Sequence, residues 1–312
     1  MEQISDIKKR IKSVGDIRQT TRATQLISTV KMRRARNQLQ KTRPFFVICA
    51  DTMIELYENG LVDDNRFFQL RQKKKGETWR IGYFILTGDQ GLAGAYNANV
   101  VMTTEKHIHG KTVDNISKGL NTTARLYVAG KIGKERLVRD GFEVVEDFNY
   151  PISEPTYYRA RDISDYIYHL YSVGELDLVY FIYTRIESAV SMEPVVARVL
   201  PVDPYSLKRT IPDDNPYHQY GLIAGHDIDY YPSVDEVMNY LINTYLNGMV
   251  YGALAEAYAS EQTARMTAME NATDSADDMM ERLRLKSNQA RQGKITNEIS
   301  EIVGGAELLS KG

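Results

Sequence analysis

From Ser233 to the C-terminus the chain runs eighty residues without a proline. No other feature restricts the fold as much. Ser233 follows Pro232 and precedes Glu236 by three positions, the spacing of a capping box, which predicts a helix start. An apolar seam then runs through Leu246, Val250, Ala253, Ala257, Ala264, Ala268, Ala272, Ala276, Met279 and Leu283, always in steps of 3, 4 or 7. At about 1.5 Å per residue such a helix would reach roughly 120 Å, far longer than a helix buried in a globular core. Gly248, Gly252 and Gly293 each weaken it by about 1 kcal/mol relative to alanine, so its length needs support from packing.

The middle of that seam is unusual. In "ASEQTARMTAMENATDSADDMMERL" (259–283) the apolar face is mostly alanine, one every four residues, where leucine or isoleucine would be normal. Small residues at this spacing let two helix backbones approach closely. High helix propensity on a partly exposed surface is the other reading.

The N-terminal segment mirrors this one. Ile4, Ile7, Ile11 and Val14 form a heptad seam that continues through Ile17, Thr21, Thr24, Ile27 and Val30. Pro44 is expected to break the helix, which resumes through "FFVICADTMIELYEN" and ends near Gly60. Residues 1–43 carry twelve Lys and Arg against three acids, a local charge of +9, leaving −11 on the rest of a chain whose net charge is −2. Residues 233–312 carry −5. The two ends can attract each other, or the basic end can serve an outside acidic partner. Matching seams and opposite charge make an antiparallel two-stranded coiled coil the economical arrangement.

Between the two helices the pattern alternates. Strands are predicted at 79–87, 123–130, 142–148, 176–185 and 194–202, with helices around 93–108, 131–140 and 157–173. That order predicts a Rossmann-like α/β layer with a mostly parallel sheet and a final hairpin at one edge. The expected divisions are a coiled-coil helix at 1–60, the α/β domain at 78–205, a linker loop at 206–232 and the second coiled-coil helix at 233–312.

Little in the chain suggests chemistry. No apolar run approaches the roughly 18 residues of a membrane span, and the N-terminus has no apolar signal core. The single cysteine, Cys49, excludes an internal disulfide and is expected to be a buried thiol. "TGDQGLAGAYN" (87–97) has glycines at 88, 91 and 94, but G-x-x-G-x-x-G lacks the G-x-G start of a dinucleotide loop and no G-K-[ST] follows. A turn that needs positive φ explains it better. His107 and His109 would face different sides of a helix, and His169, His218 and His226 add no metal spacing. No catalytic residue, metal ligand or cofactor site is assigned.

The C-terminal tip is the strongest pointer to function. An N-terminal helix of 43–57 residues would span only about 65–85 Å, so the longer partner overhangs it. The overhang, "ARQGKITNEISEIVGGAELL", carries Ile295, Ile299, Ile302, Val303, Leu308 and Leu309. A lone helix exposing six aliphatics needs another protein to sheathe it.

Both terminal segments resemble the gamma chains of rotary ATP synthases. "ASEQTARMTAMENATDSADDM" and the tip are similar to the family's C-terminal signature, and "DIKKRIKSVGDIRQTTRATQLISTVKMRRAR" to its N-terminal helix. "TGDQGLAGAYN" is similar to the family's S-D-R-G-L-C-G-G-L-N loop, with Gln90 and Ala93 as departures and Thr24 standing in the neck where Met is usual. The resemblance implies a non-catalytic central shaft inside a ring of three alpha and three beta chains. Its α/β foot would meet the epsilon chain and the membrane c ring, with no nucleic acid and no small-molecule substrate. It further implies that Arg291, Gln292, Thr296 and Glu298 at the tip, and Lys31, Arg33 and Arg34 at the neck, contact the beta ring. Ile299, Ile302 and Val303 would sit in an apolar bearing, and Tyr230 and Tyr231 would meet the c ring or epsilon chain. The implied location is the cytoplasmic face of a bacterial plasma membrane. The competing expectation is a scaffolding or nucleic-acid-binding coiled coil acting through residues 8–43.

Overall fold

The computed structural model describes residues 4–62, 65–186, 191–208, 211 and 230–310, with side chains on the last helix described through Val303. Its elements are α1 (Ile4–Glu58), β1 (Thr78–Leu86), α2 (Tyr96–Ser117), β2 (Asn121–Ala129), α3 (Lys131–Arg139), α4 (Tyr157–Ser172), β3 (Leu178–Ile186), β4 (Met192–Leu200), α5 (Pro204–Lys208) and α6 (Val234–Ser310). Most of the expected linker loop, with His218 and His226, lies outside the described residues, as do the side chains of Leu308 and Leu309. The chain divides into two compact units, residues 30–264 and residues 1–29 with 265–312.

In the larger unit the strand order is β2-β1-β3-β4. β1 runs parallel to both β2 and β3, and β4 pairs antiparallel with β3 at the edge, as the alternation implied. Side chains alternate across the sheet with the strand's two-residue period. Phe84, Leu86, Val179, Phe181 and Tyr183 face a core shared with α4, the end of α1 and the start of α6. Ile81, Tyr83, Ile85, Tyr180 and Ile182 face α2 and α3. On the first face Tyr127, Phe84 and Phe181 stack in register across three strands, at 4.5 and 5.3 Å between ring centres. Cross-strand aromatic pairs of this kind pin register.

Two expectations fail here. The strand predicted at 142–148 is reduced to one bridge, Val144 to Leu126, with Val145 N donating to Leu126 O at 2.9 Å. A regular strand would place the Glu146 carboxylate between Val144 and Phe148 on the buried face, and an unpaired charge there is prohibitive. The expected break at Pro44 is also absent, since α1 continues through it. An interior proline costs about 3 kcal/mol. Beyond it Val47, Ala50, Met53, Ile54 and Leu56 are all buried. Large aliphatics return about 1.5–3 kcal/mol each, enough to hold the helix through the defect.

The smaller unit pairs the first part of α1 with the later part of α6. The helices run antiparallel: Gly15 faces Met280, Arg18 bonds Asp277, and Thr21 bonds Thr273. The seam keeps Ile7, Val14, Thr21, Ala276 and Leu283 of the one expected and differs in the rest. On α1 the buried a-type positions are Ile7, Val14 (half-buried), Thr21 and Ser28, one every seven residues. Ile17, Ile27 and Val30, expected in the seam, are 54–67% exposed. On α6 the buried positions are Arg265, Met269, Thr273, Ala276 and Leu283. Ala268 and Ala272 are half-buried on the seam's flank, and Met279 is exposed. A strict seven-residue repeat keeps to one face, whereas the stronger hydrophobes step off it. Close approach therefore comes from Thr, Ser and Ala in the seam, with the remaining alanines bordering it.

Candidate functional site

The part of the larger unit that ties α6 to the α/β domain is built from buried polar contacts. Ser260 Oγ donates to Thr184 O at 2.8 Å and Tyr96 Oη donates to Ala257 O at 3.0 Å. Ile186 N donates to Glu256 Oε1 at 3.3 Å, and Ser164 Oγ bonds Asn247 Oδ1. Burial pushes the Glu256 carboxyl above its ordinary range, against the downward pull of Ile186 N, Arg185 and Arg43. β3, α2 and α4 thus each hold α6 by a directional bond in addition to apolar packing. Sequence reading missed these residues because single Ser, Tyr and Glu side chains carry no spacing signal.

The glycine-rich loop belongs to the same joint. A Cβ on Gly88 would lie 2.7 Å from Glu261 Oε1, so a larger residue here would have to displace the Glu261 carboxylate. Gly88 N donates to Asn97 Oδ1 at 2.7 Å, while Gly94 and Leu92 hold positive φ of 55° and 62°. Asp89 accepts hydrogen bonds from Lys131 N, at the start of α3, and from Ile152 N and Ser153 N, at 3.1–3.3 Å. The anion at this helix start is the protein's own carboxylate.

A second cluster anchors the segment leading into β1. Asp177, fully buried, pairs with Arg71 at 2.7 Å, Lys73 at 2.9 Å and Arg80 at 2.9 Å, and also accepts from Arg80 N at 3.0 Å. Burial alone would raise its pKa. The bonds from Arg80, Lys73 and Arg71 outweigh that effect and hold the carboxyl well below the usual range.

The expected contact residues are presented at the surface with one exception. Lys31, Arg33 and Arg34 are exposed on α1, and Lys31 and Arg34 border a cleft of about 150 Å³ with Glu154 and Tyr258. At the tip Arg291, Gln292, Thr296 and Glu298 are exposed, and Thr296 Oγ1 donates back to Gln292 O at 3.0 Å. Ile299, Ile302 and Val303 are 56, 72 and 55% exposed. Tyr231 is 92% exposed, whereas Tyr230 is half-buried against the core. Cys49 is buried, and burial raises its thiol pKa. Among the described residues no three His, Cys, Asp or Glu side chains form a metal-binding group, and no helix is long and apolar enough to cross a membrane.

The family model described as ATP synthase matches residues 3–309. The ATP synthase gamma chain of Ruminiclostridium cellulolyticum is 41% identical over 97% of this chain and 98% of its own length. Among solved structures, a chain of the Tetrahymena thermophila mitochondrial ATP synthase central stalk and c ring matches with a TM-score of 0.55 at 23% identity, over 81% of this chain and 99% of that one. A chain of the Euglena gracilis mitochondrial ATP synthase matches with a TM-score of 0.59 at 14% identity, over 98% and 94%. Two long antiparallel helices joined through an α/β domain define the class, a central-stalk fold. The chain belongs to the gamma-chain family of ATP synthase.

Proposed function

We propose that the chain turns as a rigid shaft between a membrane ring of c subunits and a ring of three alpha and three beta chains, and performs no chemistry itself. Ion flow would rotate the foot, and the changing face of the helix pair would bias each beta site in turn among its conformations. A shaft of this kind acts by differential contact alone. The supporting observation is the pairing of a polar, buried joint between α6 and the α/β domain with an unsheathed aliphatic tip. The joint resists slippage of the helix in its domain, and the tip is suited to a greasy bearing in another protein. Arg291, Gln292, Thr296, Glu298, Lys31, Arg33 and Arg34 would contact beta chains, and Tyr231 with Tyr230 the c ring or epsilon chain. The complex would sit on the cytoplasmic face of a bacterial plasma membrane, with this chain peripheral to it.

The test is purification of the complex with its gamma chain cut before Leu285. Rotation-coupled ATP hydrolysis should fall to a small fraction of the full-length value while nucleotide still binds the alpha and beta chains. Undiminished coupled turnover would contradict the shaft reading.

A further inference from the structure

On the α2 side of the sheet, away from the joint with α6, lies a cleft of about 210 Å³. Trp79 of β1 and Tyr180 of β3 line it, and Lys111, Asp114 and Lys118 of α2 and Arg198 of β4 stand around it. An apolar cavity of about 150 Å³ takes up benzene, so this volume holds one ring with a substituent. Three cations against one lining carboxylate leave the cleft electropositive in a chain whose net charge is −2. Lys118 is paired with Asp114 at 2.7 Å, and Arg198 faces Asp203 at 3.7 Å, beyond hydrogen-bond reach. Lys111 has no carboxylate within salt-bridge distance among the described residues, and its ammonium lies 5.9 Å from the centre of the Tyr180 ring. On Trp79, Lys73 adds another cation at 5.5 Å.

The Tyr180 wall has a second peculiarity. Its ring stacks on Tyr83 at 5.7 Å and meets His107 edge-on at 4.8 Å. The Tyr83 hydroxyl and His107 Nδ1 are both buried with no hydrogen-bond partner among the described residues. Buried polar atoms without partners are rare, and two against one wall single out this corner of the domain.

We propose that this cleft binds a small ligand in which a flat apolar ring carries an oxyanion. The ring lies against Trp79 and Tyr180, and the oxyanion, a carboxylate or a phosphate, is held by Lys111 and Arg198. Aromatic walls favour a ring face, and a guanidinium with an ammonium favours an oxyanion over a neutral or cationic group.

Trp79 is the single tryptophan of the chain, so its fluorescence reports on the cleft directly. The experiment titrates the full-length chain with phenyl phosphate, benzoate and inorganic phosphate, and repeats the series with Lys111→Met and Arg198→Met. Saturable change with either ring-bearing probe, weakened about tenfold in each variant, is the expected result, since each variant loses one charge-assisted contact. Saturation by phenyl phosphate alone assigns the oxyanion as phosphate, and by benzoate alone as carboxylate. An unaltered emission maximum in the probe-free variants shows that they are folded. No saturable change up to about 10 mM, affinity unchanged in the variants, or inorganic phosphate binding as well as the ring-bearing probes overturns the proposal.

Discussion

The Ser260 hydroxyl donates to the carbonyl oxygen of Thr184 at 2.8 Å, and both residues are buried. This bond joins the end of β3 to the first half of α6, the place where force would pass between the α/β domain and the helix. Ser260→Ala removes the donor and leaves the carbonyl buried. The chain should lose about 1–3 kcal/mol of unfolding free energy, measured by urea denaturation. In the assembled complex the same variant should lower coupled turnover, whereas Ser300→Ala, on the exposed tip, should leave the stability of the free chain unchanged.

Asp177 sets an acid-dependent part of the stability. Its folded pKa is depressed, so its contribution is complete above the unfolded value of about 3.9 and is lost as pH falls through the folded value below that. Asp177→Asn leaves Arg71, Lys73 and Arg80 without their shared partner and should cost about 3 kcal/mol at pH 7. The gap between variant and parent, followed by denaturation at each pH, should narrow steadily below about pH 4. A gap independent of pH from 7 to 2 would contradict this account.

Two glycines of α6 should respond with opposite signs to the same substitution. A Cβ on Gly248 would run into the Phe46 ring, whereas one on Gly293 meets nothing within 4 Å. Gly248→Ala should destabilise by about 1–3 kcal/mol through overpacking. Gly293→Ala should slow hydrogen exchange around the tip, because alanine favours the helix by about 1 kcal/mol.

The seam bond between Thr21 and Thr273, 2.8 Å between hydroxyls, invites a double-mutant cycle. Each hydroxyl can also donate to its own helix, to Arg18 O and Met269 O, and the one that donates across the seam gives up that bond. Thr21→Val or Thr273→Val alone should each cost about 1 kcal/mol in thermal unfolding, and the double variant should recover most of the loss. Additive losses would show that the two hydroxyls act independently.

Legibility in the sequence followed the strength of the periodic signal. The helix beginning beside Ser233 was readable because a hydroxyl cap leaves a local mark, and Ser233 Oγ does accept from Glu236 N at 3.2 Å. β1 to β4 were readable as β-branched and aromatic runs. In the α1 seam Thr21 was legible but Ser28 was not, because small polar members signal weakly, while Ile17 and Ile27 gave the louder hydrophobic pattern on an exposed face. Continuity through Pro44 depended on burial of Met53 and Leu56, which a local rule does not register. The joint at Ser260, Tyr96 and Glu256 and the Asp177 cluster rest on residues brought together from distant positions, with no motif to announce them.

The central claim is rotation. The most direct measurement attaches a fluorescent rod to an introduced cysteine, His109→Cys on the exposed side of α2, in a complex whose alpha and beta chains are fixed to glass. Buried Cys49 should remain unlabelled. With ATP supplied, the account predicts sustained one-way turning of the rod that stops when Ile299 and Ile302 are both replaced by Asp. A rod that stays still while the same complexes hydrolyse ATP at full rate would contradict it.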